Sequence, residues 1–297
     1  MNAKRVLVTG ARGFIGRHCL PALARRGFEV HAVTSSTVAG PGDARWHTAD
    51  LLSPAATRAL VATVRPTHAL HLAWIATPGQ YATALDNLRW AEAGPCLMEA
   101  LIEFGTARVV ATGSCAEYDW NHGVCDEQTT PLVPGTLYAA AKHAWHFAFD
   151  AMARSTLSAA WARIFLLYGP GEHPTRIVPS VIQPLLRGQP AQLSAGTQVR
   201  DLLYVKDVAD ALAALLDSPV AGPVNIGSGR GIAIRDLALH IARQLGRPDL
   251  LNFGEPASEP ARLVASTRRL SHEVGWQPKY DLAAGLSESI AWWRRPS

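Results

Sequence analysis

The sequence predicts an α/β protein: a doubly wound parallel sheet with a smaller, interleaved domain towards the C-terminus. Three observations carry that prediction. Apolar, β-branched-rich runs alternate with helix-like segments through the first half of the 297 residues, the pattern of repeated strand-helix-strand units. The first run, Val6-Leu7-Val8, is continuously apolar, as a strand buried on both faces must be, and it stops at Gly10 before a helix. Beyond Tyr168-Gly169-Pro170-Gly171 the segments shorten and grow richer in Pro and Gly, which marks a second unit.

The elements follow in order. After the first strand, Phe14 to Arg26 reads as a helix closed by Gly27, Phe28 to Val33 as a second strand, and Arg45 to Ala49 as a third that ends at Asp50. Pro54 to Val64 is a helix, His68 to Ala73 a fourth strand, and Tyr81 to Phe104 a long helix ended by Gly105. Arg108 to Thr112 gives a fifth strand, Tyr138 to Ser155 a second long helix, and Ala159 to Phe165 a strand. The segment from Val199 to Ile226 is expected to return to the sheet, with a helix at Val208 to Leu216 and a strand at Val224-Asn225-Ile226. The larger domain is thus expected over 1–168 and 199–229, and the smaller over 169–198 and 230–297.

Bulk properties exclude several classes of function. The 28 basic and 24 acidic residues leave a net charge of +4, but the basic residues are scattered and mostly arginine, so no nucleic-acid patch is expected. The four cysteines, Cys19, Cys96, Cys115 and Cys125, form no metal-ligand spacing and suit reduced thiols in a cytoplasm. No apolar run approaches the 18 residues of a membrane span, and no signal region precedes the first strand, so a soluble cytoplasmic protein is expected. The eleven histidines give no metal site: His68 and His71 point to opposite faces of a strand, and His143 and His146 lie in an apolar context.

Three motifs carry chemistry. Glycines at 10, 13 and 16 permit a tight turn, a close approach of backbone to a pyrophosphate, and close packing of helix on sheet, so the helix N-terminus offers its N–H groups to an anion. Tyr138 and Lys142 stand one helical turn apart, where the ammonium is expected to lower the tyrosine pKa and make it a proton donor near neutral pH. Ala111-Thr112-Gly113-Ser114 ends a strand with a small hydroxyl at the carboxyl edge of the sheet, where such folds bind ligands. The helix from Leu137 to Ala153 is apolar nearly all round, with Trp145, Phe147, Phe149 and Met152. Either a neighbouring helix of the same chain or a second subunit must cover it, and a homodimer, with the Tyr81 to Phe104 helix as its partner, is the favoured reading.

With these pieces in place the sequence resembles the extended short-chain dehydrogenase/reductase superfamily, in its branch of NAD(P)-dependent sugar-nucleotide epimerases, dehydratases and reductases. The resemblance runs over essentially the whole chain. It takes in Thr9 to Gly16, Asp50-Leu51, His71-Leu72-Ala73, Asn87, Ser114, Tyr138, Lys142 and Arg163 to Gly171. It continues through Arg200 to Asp207, Asn225-Ile226-Gly227 and Gly275-Trp276-Gln277-Pro278. It implies a Rossmann-like fold in which Gly10, Arg12, Gly13, Phe14, Ile15 and Gly16 cradle the dinucleotide. Asp50 and Leu51 would meet the adenine, Leu72 and Ala73 would lie beside the cofactor, and Lys142 would bind the nicotinamide ribose. Ser114 and Tyr138 would hold the substrate oxygen, and Arg200 would meet a phosphate of the sugar nucleotide. A helix cap for Asp50 and an ion pair with Asp201 for Arg200 stand as rival readings.

Departures from the family pattern narrow the activity. The second strand runs into Thr34-Ser35-Ser36 where an acidic residue usually binds the adenosine ribose; an uncharged end tolerates a 2′-phosphate that Arg12 of the glycine turn could pair with, which favours NADP over NAD. The acid-base pair of the 4,6-dehydratases is replaced by Cys115 and Ala116. Enzymes resembling GDP-fucose synthase use a Cys and a His whose positions fall on Ala116 and near Arg176, with Cys115 and His173 close by. What remains is reduction of the C4 carbonyl of a nucleotide-linked 4-keto-6-deoxyhexose, with the run from Gly113 to Asp119 similar to reductases of the abequose-synthase type. A C4 epimerase and a non-catalytic nucleotide-binding relative are the alternatives. Glu117 is expected beside the substrate pocket, as a structural carboxylate or a sugar contact.

Overall fold

The computed structural model describes residues 4–36, 40, 42–153, 157–256 and 258–295. The chain begins with β1 (Arg5–Thr9), α1 (Gly16–Arg25), β2 (Glu29–Thr34), β3 (Arg45–Thr48), α2 (Pro54–Val64), β4 (His68–His71), α3 (Asp86–Glu103) and β5 (Arg108–Ser114). It continues through β6 (Val124–Cys125), α4 (Leu137–Ala153), β7 (Ser158–Ile164), β8 (Leu166–Tyr168), α5 (Ile177–Leu186), β9 (Ala191–Leu193), β10 (Val199–Tyr204), α6 (Val205–Leu216) and β11 (Gly222–Ile226). Last come β12 (Gly231–Ala233), α7 (Ile234–Leu245), β13 (Leu251–Phe253), β14 (Arg262–Ala265) and α8 (Leu282–Trp293).

Seven strands form a parallel sheet in the order β11-β7-β5-β4-β1-β2-β3. Alternate residues of β1 feed two cores: Val6 and Val8 pack with α1 and α6 on one face, while Leu7 packs with α2, α3 and α4 on the other. That double burial is why the run is apolar without alternation. The chain winds outwards from β1 in both directions, so a crevice opens between the carboxyl ends of β1 and β4. Thr9 closes its floor: the hydroxyl accepts from the Leu72 and Ala73 N–H groups at 3.1 and 3.2 Å and meets His71 Nδ1 at 2.8 Å.

The rest of the chain builds a second sheet, β12-β10-β14-β6, with β8 paired to β10, and a short β13-β9 pair. A third core joins them to α5, α7 and α8. The expected return to the main sheet after residue 199 is therefore only partly made. β11 joins the main sheet and α6 covers it, whereas β10 runs in the second sheet, paired parallel to β8 through Tyr204 and Tyr168. Alternation of polar and apolar residues is lost in Val199–Tyr204 because nearly all of this strand is buried, so the sequence pattern does not distinguish the two sheets.

Two helices differ from expectation. The segment 81–85 is not part of α3, because the buried Asn87 side chain takes the Tyr81 and Ala84 carbonyls and holds a turn there. The end expected for the other long helix, Arg154 and Ser155, lies outside the described residues; α4 is described to Ala153. Its Trp145 is buried inside the chain against α3, so close that a β carbon on Gly94 would lie 2.6 Å from the indole, and it meets Phe149 and Trp161 at its edges. Trp145 thus needs no second subunit. Phe147 on the same helix is 75% exposed and Leu88 on α3 is 54% exposed.

Candidate active site

The glycine turn has the geometry of a dinucleotide cradle. Gly10 has φ +66°, and a β carbon there would sit 2.8 Å from the Ala73 nitrogen; one on Gly16 would collide with the Gly10 carbonyl at 2.2 Å. Only glycine fits either position. Helix α1 starts without a side-chain cap and without an acidic residue in its first turn, which leaves its N-terminal dipole open to an anion. The residues present therefore fit a dinucleotide. Arg12 is exposed on this turn, and Phe14 and Ile15 are half-buried beside it. At the end of β2 the Thr34 hydroxyl accepts from the Ser36 N–H and Ser35 is exposed, with no carboxylate at that strand end. Asp50 is exposed and its carboxylate accepts from the Leu52 N–H, while Ser53 rather than Asp50 caps α2. Leu51 is half-buried next to it.

Ser114, Tyr138 and Lys142 come together at the carboxyl end of β5. The Ser114 hydroxyl accepts from the Ala116 N–H at 3.2 Å. Lys142 is buried, and its Nζ donates to the Thr112 carbonyl at 2.8 Å. The Tyr81 ring meets Tyr138 edge-on at 4.9 Å, and the Tyr138 N–H donates to the Ala82 carbonyl.

The electrostatics overturn one expectation. Burial pushes the Tyr138 phenol above its usual range, opposed by the neighbouring Ser114 side chain. Burial also pushes Lys142 down to about 7, opposed by the charge of Glu117. The lysine does not depress the tyrosine, because desolvation acts on both groups and favours the neutral form of each. Nearby, His71 is pushed down to about 3 by burial and then by Lys142, so it stays neutral at the floor of the crevice.

Glu117 is not a sugar contact. It is wholly buried and its carboxylate accepts from the Ser114 N–H at 2.7 Å, from Trp161 Nε1, and from Arg163 Nε at 3.1 Å. It closes a capping box with Ser114, so it acts as the structural carboxylate of the corner. His143 and His146 gather beside it, with one ligand-type atom of each within 4.8 Å of the others. This trio was hidden from the sequence because Trp161 and Arg163, which complete its surroundings, come from β7. The carboxylate is already committed to Arg163 and Trp161, so the donor set is that of a buried ion pair rather than a cation site.

Arg200 is buried on β10. Its guanidinium donates to the Val199 and Pro260 carbonyls at 2.9 Å and to Glu259 at 2.7 Å. The partner is therefore Glu259 and not Asp201, whose carboxylate instead accepts from the N–H groups of Ser228, Gly229 and Ala265.

Residues 6–227 match the model of the NAD dependent epimerase/dehydratase family. The chain belongs to that family. It is an NAD(P)-dependent enzyme of the extended short-chain dehydrogenase/reductase superfamily. It is 26% identical to CDP-abequose synthase of Salmonella typhimurium over 96% of this chain and 97% of that one. It is 25% identical to dTDP-4-dehydro-6-deoxy-D-allose reductase of a Streptomyces species over 98% of this chain and 96% of that one. The UDP-glucose 4-epimerase of Thermus thermophilus, solved with NAD, superposes with a TM-score of 0.83 at 28% identity, covering 98% of this chain and 99% of that one. Among the described residues of this family member no helix is long and apolar enough to cross a membrane.

Proposed function

We propose that this enzyme reduces the C4 carbonyl of a nucleotide-linked 4-keto-6-deoxyhexose with NADPH. The observation that carries the reading is the pair of residues next to Ser114 in the chain. Water elimination needs an acid and a base there, and the chain has Ala116 and Cys115, whose thiol burial pushes up to about 12. A thiol so held is neither base nor nucleophile at neutral pH, which also counts against Cys-His chemistry with the exposed His173. Reduction needs neither. When bound, the reduced dinucleotide supplies the hydride. Tyr138 gives its phenolic proton to the oxygen that becomes the alcohol, Ser114 holds that oxygen with a preorganised hydrogen bond, and Lys142 binds the ribose.

The likeness to a 4-dehydro-6-deoxy sugar-nucleotide reductase supports this substrate class. Preference for NADP rests on Thr34 and Ser35 at the strand end and on the exposed Arg12 of the glycine turn. In this reading 1–168 with 199–229 serves the dinucleotide, and 169–198 with 230–297 serves the sugar nucleotide, where Arg200 exchanges Glu259 for a phosphate. The outward Phe147 and Leu88 support a homodimer through α3 and α4, and four free thiols suit a cytoplasmic enzyme.

The test is incubation with NADPH and a panel of 4-keto-6-deoxy sugar nucleotides, followed at the nicotinamide absorbance. One NADPH consumed per alcohol formed is expected. Interconversion of C4 configurations without net loss of NADPH identifies the epimerase instead, a reading favoured by the fold shared with the Thermus enzyme.

A further inference from the structure

Trp74 lies in the connection between β4 and α3. Its indole ring faces the Lys142 ammonium, with Nζ 3.8 Å from the ring centroid. The ring is held in place: Nε1 donates to Asn87 Oδ1 at 2.8 Å, and the fully buried Asn87 donates in turn to the Tyr81 and Ala84 carbonyls at 2.6 and 2.8 Å. That same segment packs on Tyr138 through Tyr81 and Ala82. A single network thus covers both the tyrosine and the lysine.

The need for such a cover is physical. Lys142 is 3% exposed and donates to one backbone carbonyl. The titratable and charged groups around it are Glu117 from the turn after β5, with Arg163 of β7 behind it, His71 from β4, and Tyr138, His143 and His146 along α4. Glu117 is shared with Arg163, and His71 brings no negative charge. An indole face attracts a cation and is indifferent to a neutral amine, most strongly where water is excluded.

We propose that Trp74 is a positioning residue for Lys142: its indole face, oriented by Asn87, keeps the buried ammonium charged and fixed in place beside the dinucleotide site. The consequence for activity rests on the role given to Lys142 in the proposed reduction; the contact itself does not.

The test reads the lysine directly. The chain has four lysines, Lys4, Lys142, Lys206 and Lys279, so protein carrying [ε-13C]lysine gives a spectrum simple enough to follow against pH. Lys142 is expected to titrate far below the other three, with its Cε resonance moved upfield by the ring, and Asn87→Ala reduces that upfield displacement. Replacing Trp74 by its mono-, di- and trifluoro analogues keeps the size of the ring and weakens its face. The Lys142 midpoint then falls stepwise, by about one pH unit in all. Trp74→Phe keeps a ring face and falls by less than the trifluoro analogue. A midpoint that does not move through the fluorinated series overturns the proposal, whether or not the protein reduces any sugar. With a working substrate the alkaline limb of kcat, where Lys142 loses its proton, moves to lower pH by the same amount while KM changes little. A midpoint that moves while this limb stays still supports the contact and overturns the role of Lys142 in the reduction.

Discussion

The glycine turn at residues 10–16 is made almost wholly of backbone, whereas the corner at Ser114, Tyr138 and Lys142 is made of side chains whose charge states are set by neighbours distant in the sequence. Both stand at the carboxyl edge of the main sheet. In the turn the controlling distances are those from imagined β carbons to the Ala73 nitrogen and the Gly10 carbonyl, so the residue types alone state the geometry. In the corner the same spacing of Tyr and Lys is compatible with opposite electrostatic outcomes. Which outcome holds depends on Glu117, Trp74 and the depth of burial. A site built from sterics can be read locally, and a site built from desolvated charges cannot.

Substitutions on the two sides should separate their functions. The largest effect is expected from Tyr138→Phe, which removes only the hydroxyl: turnover falls by about 10²- to 10⁴-fold, the usual worth of a positioned proton donor. NADPH affinity, measured by fluorescence titration, stays within a factor of about two, roughly 0.4 kcal/mol. Wild-type turnover in this variant would mean that the proton comes from elsewhere and that the corner is not the chemical site.

Gly10→Ala tests the other side. The new side chain must adopt the positive φ of +66° and meets backbone at 2.8 Å, so a loss of about 1–3 kcal/mol of stability is expected in denaturant titration, together with weaker dinucleotide binding. Unchanged affinity for NADPH would remove the turn from the binding site and collapse the distinction.

The smallest effect, and the one that probes desolvation itself, is on stability in Lys142→Met. Burial depresses the lysine from about 10.4 in the unfolded chain to about 7 in the folded one. The unfolded state therefore binds more protons between those values, and the wild type gains stability as pH rises through that window. Lys142→Met should be inactive yet melt a few degrees higher at pH 7 and below, with the gap closing as pH rises towards about 10. A lower melting temperature at pH 7 would show that the charged lysine is net stabilising where it lies.

Much of the fold was legible. The parallel sheet followed from double-sided apolar runs such as Val6-Leu7-Val8, and the crevice followed from the glycines at its edge. The start of α3 was not, because a single buried asparagine, Asn87, redirects the carbonyls of residues 81 and 84. Trp145 misled for a related reason. An apolar stripe announces that something covers it, but α3 of the same chain, with Gly94 giving the indole its room, is the cover.

By itself the sequence determined the alternation of strands and helices from β1 to β5, the glycine turn and the family, since each depends on local spacing, backbone sterics or motif. Tertiary structure alone decided that β10 belongs to the second sheet, that Glu117 turns inwards to Arg163 and Trp161, that Arg200 meets Glu259, and that Trp74 covers Lys142. Each of those joins residues far apart in the chain. Burial then multiplies the strength of their interactions, and burial is a property that no short stretch of sequence possesses.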